Sequence, residues 1–239
     1  MASVLATIPD RAKSRARAAL DRLGDGRWSR YDDPRALGHD HFRWRSRTDH
    51  VNYESLCDLL ARMGGRPQTI IETGMSAWGT DSTRLFDSYV RSFGGRLWSV
   101  DIDRERVEGM RRRVSAATTL ACDDSVAFLA HWVAEHAGES ADIVYLDSWD
   151  VDFAAPLPAA EHCLREVDAL SPAMRSGTLL LIDDSPGSLA DVPAAAQGSA
   201  PAIFAHYGAW PGKGMLVQAH LAERGILPVS HGYQALYQL

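Results

Sequence analysis

Five short apolar runs, at residues 69–72, 97–100, 118–121, 143–146 and 179–182, alternate with four stretches of helical periodicity at 82–93, 104–114, 126–136 and 159–170. Strands that run the same way need a crossover between them, and amphipathic helices supply it, so the alternation predicts βαβ units and a largely parallel sheet. Ahead of the first run, residues 51–63 place Tyr53, Leu56, Leu59, Leu60 and Met63 at helical spacing. This predicts an amphipathic helix that leads into the sheet and ends at Gly64-Gly65. In the tail, Met215-Leu216-Val217 and residues 233–237 are short apolar runs that predict two further strands. The expected fold is therefore α/β and doubly wound, with helices on both faces of the sheet.

With 239 residues, 46% of them hydrophobic, the chain has enough apolar surface for one substantial core. Residues 51–239 read as one domain. Residues 1–50 read as an N-terminal extension, a cap or an oligomer arm, with a helix near 11–23 and an irregular Gly/Asp/Pro stretch through Gly38. A homo-oligomer is expected on that ground. The net charge of -6 lacks the basic stripe that nucleic acid demands, which points to a small-molecule partner instead. Cys57, Cys122 and Cys163 show no CxxC spacing and read as buried, reduced thiols. The first twenty residues lack a long apolar core and no run approaches the roughly 18 residues of a membrane span, so a cytoplasmic, membrane-free protein is expected. The arginines between Arg104 and Arg113 read as a solvated helix face. Lysine is scarce, with Lys13 and Lys213 the only two, and the scarcity by itself reads as coding bias.

Chemistry is expected at the carboxyl ends of the strands, because open α/β sheets gather ligands there. The first strand runs into Glu72-Thr73-Gly74-Met75-Ser76, a glycine-containing turn that opens a helix and lets backbone approach a ligand. Neither GxGxxG nor GxxxxGK[ST] occurs, so the common dinucleotide and P-loop fingerprints are missing. The second strand ends in Asp101-Ile102-Asp103, and the third in Cys122-Asp123-Asp124-Ser125. A carboxylate at the second strand end suits ribose hydroxyls, and one at the third suits an adenine amino group; each alone is as well explained as a helix N-cap. Two more acidic clusters, Asp147-Ser148-Trp149-Asp150 and Asp183-Asp184, close the fourth and fifth strands. Three converging carboxylates repel unless a cation joins them, and a hard divalent ion suits oxygen donors. A turn at Asp183-Asp184 and a helix cap at Asp147 form the structural alternative.

In order and spacing, the segments IIETGMSAWGTDSTRLF, LWSVDID, ACDDSVAFL, ADIVYLDSWD and MRSGTLLLIDD resemble the class I S-adenosylmethionine-dependent methyltransferases, over about residues 51–239. The resemblance implies a Rossmann-like, seven-stranded sheet. It also implies that Glu72 and the backbone around Gly74 and Ser76 hold the methionine part of S-adenosylmethionine. Asp101, with Asp103 as the competing choice, would then bind ribose, while Asp124 and Ser125 would face the adenine. Trp149 would pack against the adenosine, with core packing as its ordinary alternative.

The pairing of LDSWD with LLLIDD looks like the metal-dependent O-methyltransferases of the catechol and macrocin (sugar) types. Asp-Asp at the second cluster is nearer the sugar group. This similarity implies that Asp147, Asp183 and Asp184 ligate Mg2+ or another divalent cation, and that Asp150 acts as the base, with Asp152 nearby. The expected activity is methyl transfer to a hydroxyl of a small natural product, a sugar among the candidates, as in antibiotic biosynthesis. The alternatives are a non-methylating or metal-independent relative, hydroxylase-like, or a binding and assembly protein that keeps the cofactor pocket. His206, Tyr207, Trp210 and Lys213 read as a loop suited to a lid over the acceptor, and His162 as a structural or exposed helix residue.

Overall fold

The computed structural model describes residues 31–75 and 79–239; the helix expected near residues 11–23, and Ser76 with its two successors, lie outside the described residues. Among these residues the chain forms, in order, α1 (Pro34–Trp44), α2 (Tyr53–Met63), β1 (Gln68–Thr73), α3 (Ser82–Phe93), β2 (Gly95–Asp101), α4 (Arg104–Arg111), β3 (Thr118–Cys122), α5 (Ser125–Glu135), β4 (Ile143–Leu146), α6 (Leu157–Leu170), β5 (Leu179–Ile182), α7 (Ala200–Tyr207), α8 (Met215–Ala222), β6 (Ser230–His231) and β7 (Ala235–Gln238). The seven strands make one sheet in the order β3-β2-β1-β4-β5-β7-β6. The first five are parallel to their neighbours, and β7 returns antiparallel between β5 and β6.

The uninterrupted apolar runs are explained by burial on both faces, the usual condition of a parallel sheet. Ile70, Leu97, Ile143, Tyr145, Leu179 and Leu181 point to the layer made by α1, α2 and α3, where Leu37, Phe42, Leu56, Leu60, Phe86 and Tyr89 pack. The alternating residues Ile71, Trp98, Val144, Leu146, Leu180 and Ile182 point to the layer of α5, α6 and α8, against Leu129, Trp132, Val167, Leu170, Val217 and Leu221. A single residue step along each strand therefore switches layers.

Two expectations are corrected. Met215-Leu216-Val217 begins a helix, α8, rather than a strand. A three-residue apolar run fits a buried helix segment as well as a strand, and Val217 and Leu221, four apart, share the buried stripe. The stretch read as irregular through Gly38 contains α1, started by Pro34 behind the Asp33 side chain, which accepts from Arg35 N. Gly38 lets α1 lie against α2, since a Cβ there would meet Leu60 Cδ1 at 2.9 Å and Cys57 Sγ at 3.0 Å. The arginine-rich end of α4 stops at Arg111, short of the expected 114, and Arg111, Arg112 and Arg113 are exposed.

Candidate active site

The strand order reverses between β1 and β4, so the carboxyl ends of β1, β2, β4 and β5 border one crevice. Gly74 joins its two sides. It has φ +81°, donates its N–H to Val100 O at 2.8 Å, and sits so close to β4 that a Cβ would overlap the Asp147 carbonyl oxygen. Its role is thus to let the ends of β1 and β4 meet, in addition to freeing the turn.

On the cofactor side, Glu72 is fully buried at the end of β1 and receives the Ser99 hydroxyl at 2.5 Å through Oε2. Its Oε1 makes no well-formed hydrogen bond, although the Ser82 and Thr83 hydroxyls stand beside it, and Thr73 Oγ1 and Ser148 Oγ, both buried, have no partner. Burial pushes the Glu72 carboxyl up to about 7, against the opposing pull of the hydroxyls beside it. Asp101 accepts from Met75 N at 2.8 Å, from Asp103 N at 2.8 Å and from Arg106 Nη1 at 3.1 Å, which fixes the turn after Gly74. Asp103 caps α4, accepting from Glu105 N and Arg106 N. The strand end therefore separates the two candidates that sequence left open: Asp101 faces the turn, and Asp103 caps.

Asp124 caps α5 through Ala127 N at 3.0 Å, and Ser125 turns inward to hydrogen-bond His162 Nε2 at 2.8 Å. His162 is buried, and the half-exposed Trp149 ring lies 4.9 Å from it, tilted. Trp149 is thus a half-exposed residue rather than a core one. Behind the turn, α1 reaches in with buried His41, whose Nε2 lies 2.7 Å from Thr80 O, while Asn52 Nδ2 donates to Thr80 Oγ1 at 3.3 Å. Burial lowers the His41 pKa to about 4.

On the acceptor side, Asp147, Asp183 and Asp184 converge, with one oxygen of each within 4.8 Å of the others. Asp184 is held in the left-handed region at φ +45°, where aspartate is tolerated but uncommon. Lys213 Nζ lies 2.7 Å from Asp147 Oδ1 and 3.4 Å from Asp184 Oδ2, and its side chain is 1% exposed. Tyr145 OH donates to Asp147 Oδ2 at 3.3 Å, Gln234 Nε2 to Asp183 Oδ1 at 2.6 Å, and Tyr233 OH to Asp184 Oδ1 at 2.5 Å. Gln234 also accepts from Ser55 of α2. Five of the six carboxylate oxygens thus have a donor from the chain itself.

Burial, then Asp147 and Asp184, raises Asp183 well above the usual carboxylate range. Burial alone would lower Lys213, but Asp147, Asp184 and Asp183 outweigh it and hold the ammonium protonated. Asp150 is exposed on the loop after β4, and Asp152 accepts from Ala154 N at 2.9 Å within the same loop.

Lys213 departs from its expected place. It does not line a lid but lies inside the carboxylate cluster, and His206 and Tyr207 belong to α7. Tyr145, Tyr233 and Gln234 were not singled out from sequence; no local pattern marks a side chain whose partners come from elsewhere in the chain. Lys213 did carry a signal, a rare lysine between Gly212 and Gly214 in an arginine-rich chain. The donor type suits a hard divalent cation, yet with Lys213 against two of the oxygens the cluster does not fit an added one.

No family model and no curated protein matches the chain. Among solved structures, CalS11, a TDP-rhamnose 3'-O-methyltransferase of calicheamicin biosynthesis, is similar with a TM-score of 0.56 and 12% identity, over 99% of this chain and 98% of that one. The MycE methyltransferase of the mycinamycin pathway, solved with Mg and SAH, is 21% identical with a TM-score of 0.47 over 66% of this chain, and the match spans only 38% of MycE. TomG, an O-methyltransferase of Streptomyces achromogenes solved with SAM, is 15% identical, with a TM-score of 0.47 over 95% of this chain and 98% of that one. The CalS11 likeness runs through nearly the whole of both chains, and the strand order carries the antiparallel β7 between β5 and β6. The chain has the Rossmann-like fold of the class I S-adenosylmethionine-dependent methyltransferases.

Proposed function

We propose that this protein transfers a methyl group from S-adenosylmethionine to a hydroxyl of a small acceptor molecule. One observation carries the reading: at the switch point of the sheet, buried oxygens of Glu72, Thr73 and Ser148 that make no well-formed hydrogen bond adjoin a carboxylate cluster, across the contact that Gly74 makes with Asp147. Buried polar groups without partners are rare and call for an explanation, and an amino-acid ligand with its own donors supplies one. Glu72 and the backbone at Gly74 and Ser76 hold its methionine part. Asp101 faces ribose, Asp124 and Ser125 face adenine, and Trp149 covers the adenosine. When bound, S-adenosylmethionine supplies a methyl group on a sulfonium that an oxygen nucleophile attacks in line.

The chain must then orient the acceptor hydroxyl and remove its proton. The carboxylates at the ends of β4 and β5 suit both tasks, with Asp147 nearest the cofactor turn and Asp150 the more exposed choice of base. The resemblance implies Mg2+ on Asp147, Asp183 and Asp184. The position of Lys213 favours a second reading, in which an ammonium supplies the positive charge. Sugars and hydroxylated natural products are the acceptors to try first, as the chemistry of CalS11 suggests. Among the described residues no helix is long and apolar enough to cross a membrane.

The test is isotope transfer from methyl-labelled S-adenosylmethionine to a panel of sugar nucleotides and phenolic or polyhydroxylated acceptors. Turnover that is lost in Asp147→Ala while the circular dichroism spectrum is kept supports the proposal. Turnover that survives Asp147→Ala contradicts the role given to the cluster.

A further inference from the structure

We infer that Lys213 is the resident cation of the carboxylate cluster and takes the place that a divalent metal ion would hold. The proposal deepens the methyl-transfer reading and depends on it only for the identity of what the cluster faces. The ion pair itself stands on geometry.

Lys213 Nζ contacts Asp147 and Asp184, which come from the ends of two different strands, β4 and β5. A Mg2+ ion bound to those oxygens at about 2.0–2.1 Å would stand beside the ammonium at short range, so one cation must leave. The fold keeps the lysine. Its own N–H donates to Asp184 O at 2.8 Å, and Gly214 N donates to the Ser185 hydroxyl at 2.9 Å.

Glycine on each side makes that approach possible. A Cβ at Gly212 would overlap the Asp184 carbonyl oxygen, and one at Gly214 the Ser185 hydroxyl. The segment is thus pressed onto the Asp183-Asp184 turn, and the lysine stem has only the cluster to enter. Residue choice agrees: in a chain whose other described cations of this kind are arginines, this position carries the compact point charge. Tyr145, Tyr233 and Gln234 each donate to one further oxygen, so the chain itself supplies the cluster with a positive charge and with hydrogen bonds.

An ammonium differs from Mg2+ in what it asks of an acceptor. A metal ion chelates two neighbouring acceptor oxygens, whereas the ammonium, its side chain 1% exposed and turned to Asp147 and Asp184, chelates none. The acceptor class that follows is one with an isolated hydroxyl, with no need for a vicinal partner. Lys213 is then a positioning residue that fixes Asp147 and Asp184, one of which receives the hydroxyl proton.

Mn2+ titration followed by electron paramagnetic resonance, on the full chain stripped with EDTA, reads the ion directly and needs no acceptor. The wild type is expected to show no saturable site up to about 1 mM Mn2+. Lys213→Met is expected to gain a one-ion site, at least about tenfold tighter than anything in the wild type. Adding Asp147→Asn should abolish that site. A wild type that saturates with one Mn2+ per chain and loses the site in Asp147→Asn overturns the inference. So does a folded Lys213→Met that gains no site, because the cluster is then no seat for a metal ion. If Lys213→Met does not fold, the wild-type and Asp147→Asn titrations decide alone. Titration of the same wild-type sample with S-adenosylhomocysteine separates the two readings: no binding of it sinks methyl transfer while leaving the Mn2+ result to judge Lys213.

Discussion

The two sides of the crevice are built on opposite terms. At the ends of β1 and β4, buried oxygens of Glu72, Thr73 and Ser148 make no well-formed hydrogen bond. A few ångströms away, at the ends of β4 and β5, three buried or half-buried carboxylates are supplied with donors by Lys213, Tyr145, Tyr233 and Gln234. Unpaired buried oxygens cost roughly 1–3 kcal/mol each, so the first side gains from a ligand that brings donors. The second side has donors on five of its six carboxylate oxygens before any ligand arrives. On the inference drawn above, Lys213 supplies there the positive charge that a metal ion would otherwise bring.

The strongest way to break this comparison is at the joint. Gly74→Ala places a methyl group against the Asp147 carbonyl and asks alanine for φ +81°, so it should pull β1 and β4 apart and cost about 4 kcal/mol or more in urea unfolding. A variant that unfolds within error of the wild type would show that the two sides are not coupled there.

Removing the internal cation should be almost as costly. Lys213→Met leaves buried carboxylates uncompensated, and a loss of roughly 3–5 kcal/mol is expected near neutral pH, shrinking in acid as Asp183 takes up a proton. Thermal melts at two pH values check both the size and the trend. Equal melting temperatures for variant and wild type at neutral pH would mean that the ion pair is not formed.

The cofactor side has a pH dependence of its own, through His41. Its folded pKa, about 4, lies below the ordinary 6.5, so the unfolded chain binds the extra proton first. The stabilisation from neutral, buried His41 is whole above about pH 6.5 and is lost as pH falls towards 4, about 3 kcal/mol in all. In His41→Gln, part of the acid sensitivity of the wild type should disappear.

Glu72 has the opposite sign. Its folded pKa, about 7, lies above the ordinary 4.5, so burial favours the protonated acid, and that contribution to stability is lost as pH rises through 7. A ligand ammonium prefers the ionised carboxylate. The affinity for S-adenosylhomocysteine should therefore rise by up to about tenfold per pH unit below 7 and then level off, and Glu72→Gln should flatten the slope. The smallest effect is expected at Trp149. Being 45% exposed, Trp149→Ala should leave stability within about 0.5 kcal/mol while weakening the same ligand by about tenfold or less.

The parallel sheet was legible because its central strands are buried on both faces and so appear as continuous apolar runs between helical periods. Ile143–Leu146 and Leu179–Ile182 match their expected bounds for that reason. Short edge elements carried less information. The helix α8 begins with only three apolar residues, and α1 was hidden by its proline and glycine, which here start a helix and let it pack. The acidic residues at strand ends were readable one by one, since a carboxylate directly after an apolar run has few places to go. Their partners were not. Lys213 lies 66 residues from Asp147, and Gln234 lies 51 from Asp183, so only the closed fold reveals that the cluster brings its own cation.

Isothermal titration of the wild-type chain with S-adenosylhomocysteine in EDTA tests the central contrast most directly. Micromolar binding, unchanged when Mg2+ replaces EDTA, is the result expected of an open cofactor side beside an acceptor side that needs no metal. Binding that appears only with Mg2+, or in neither condition, would contradict it.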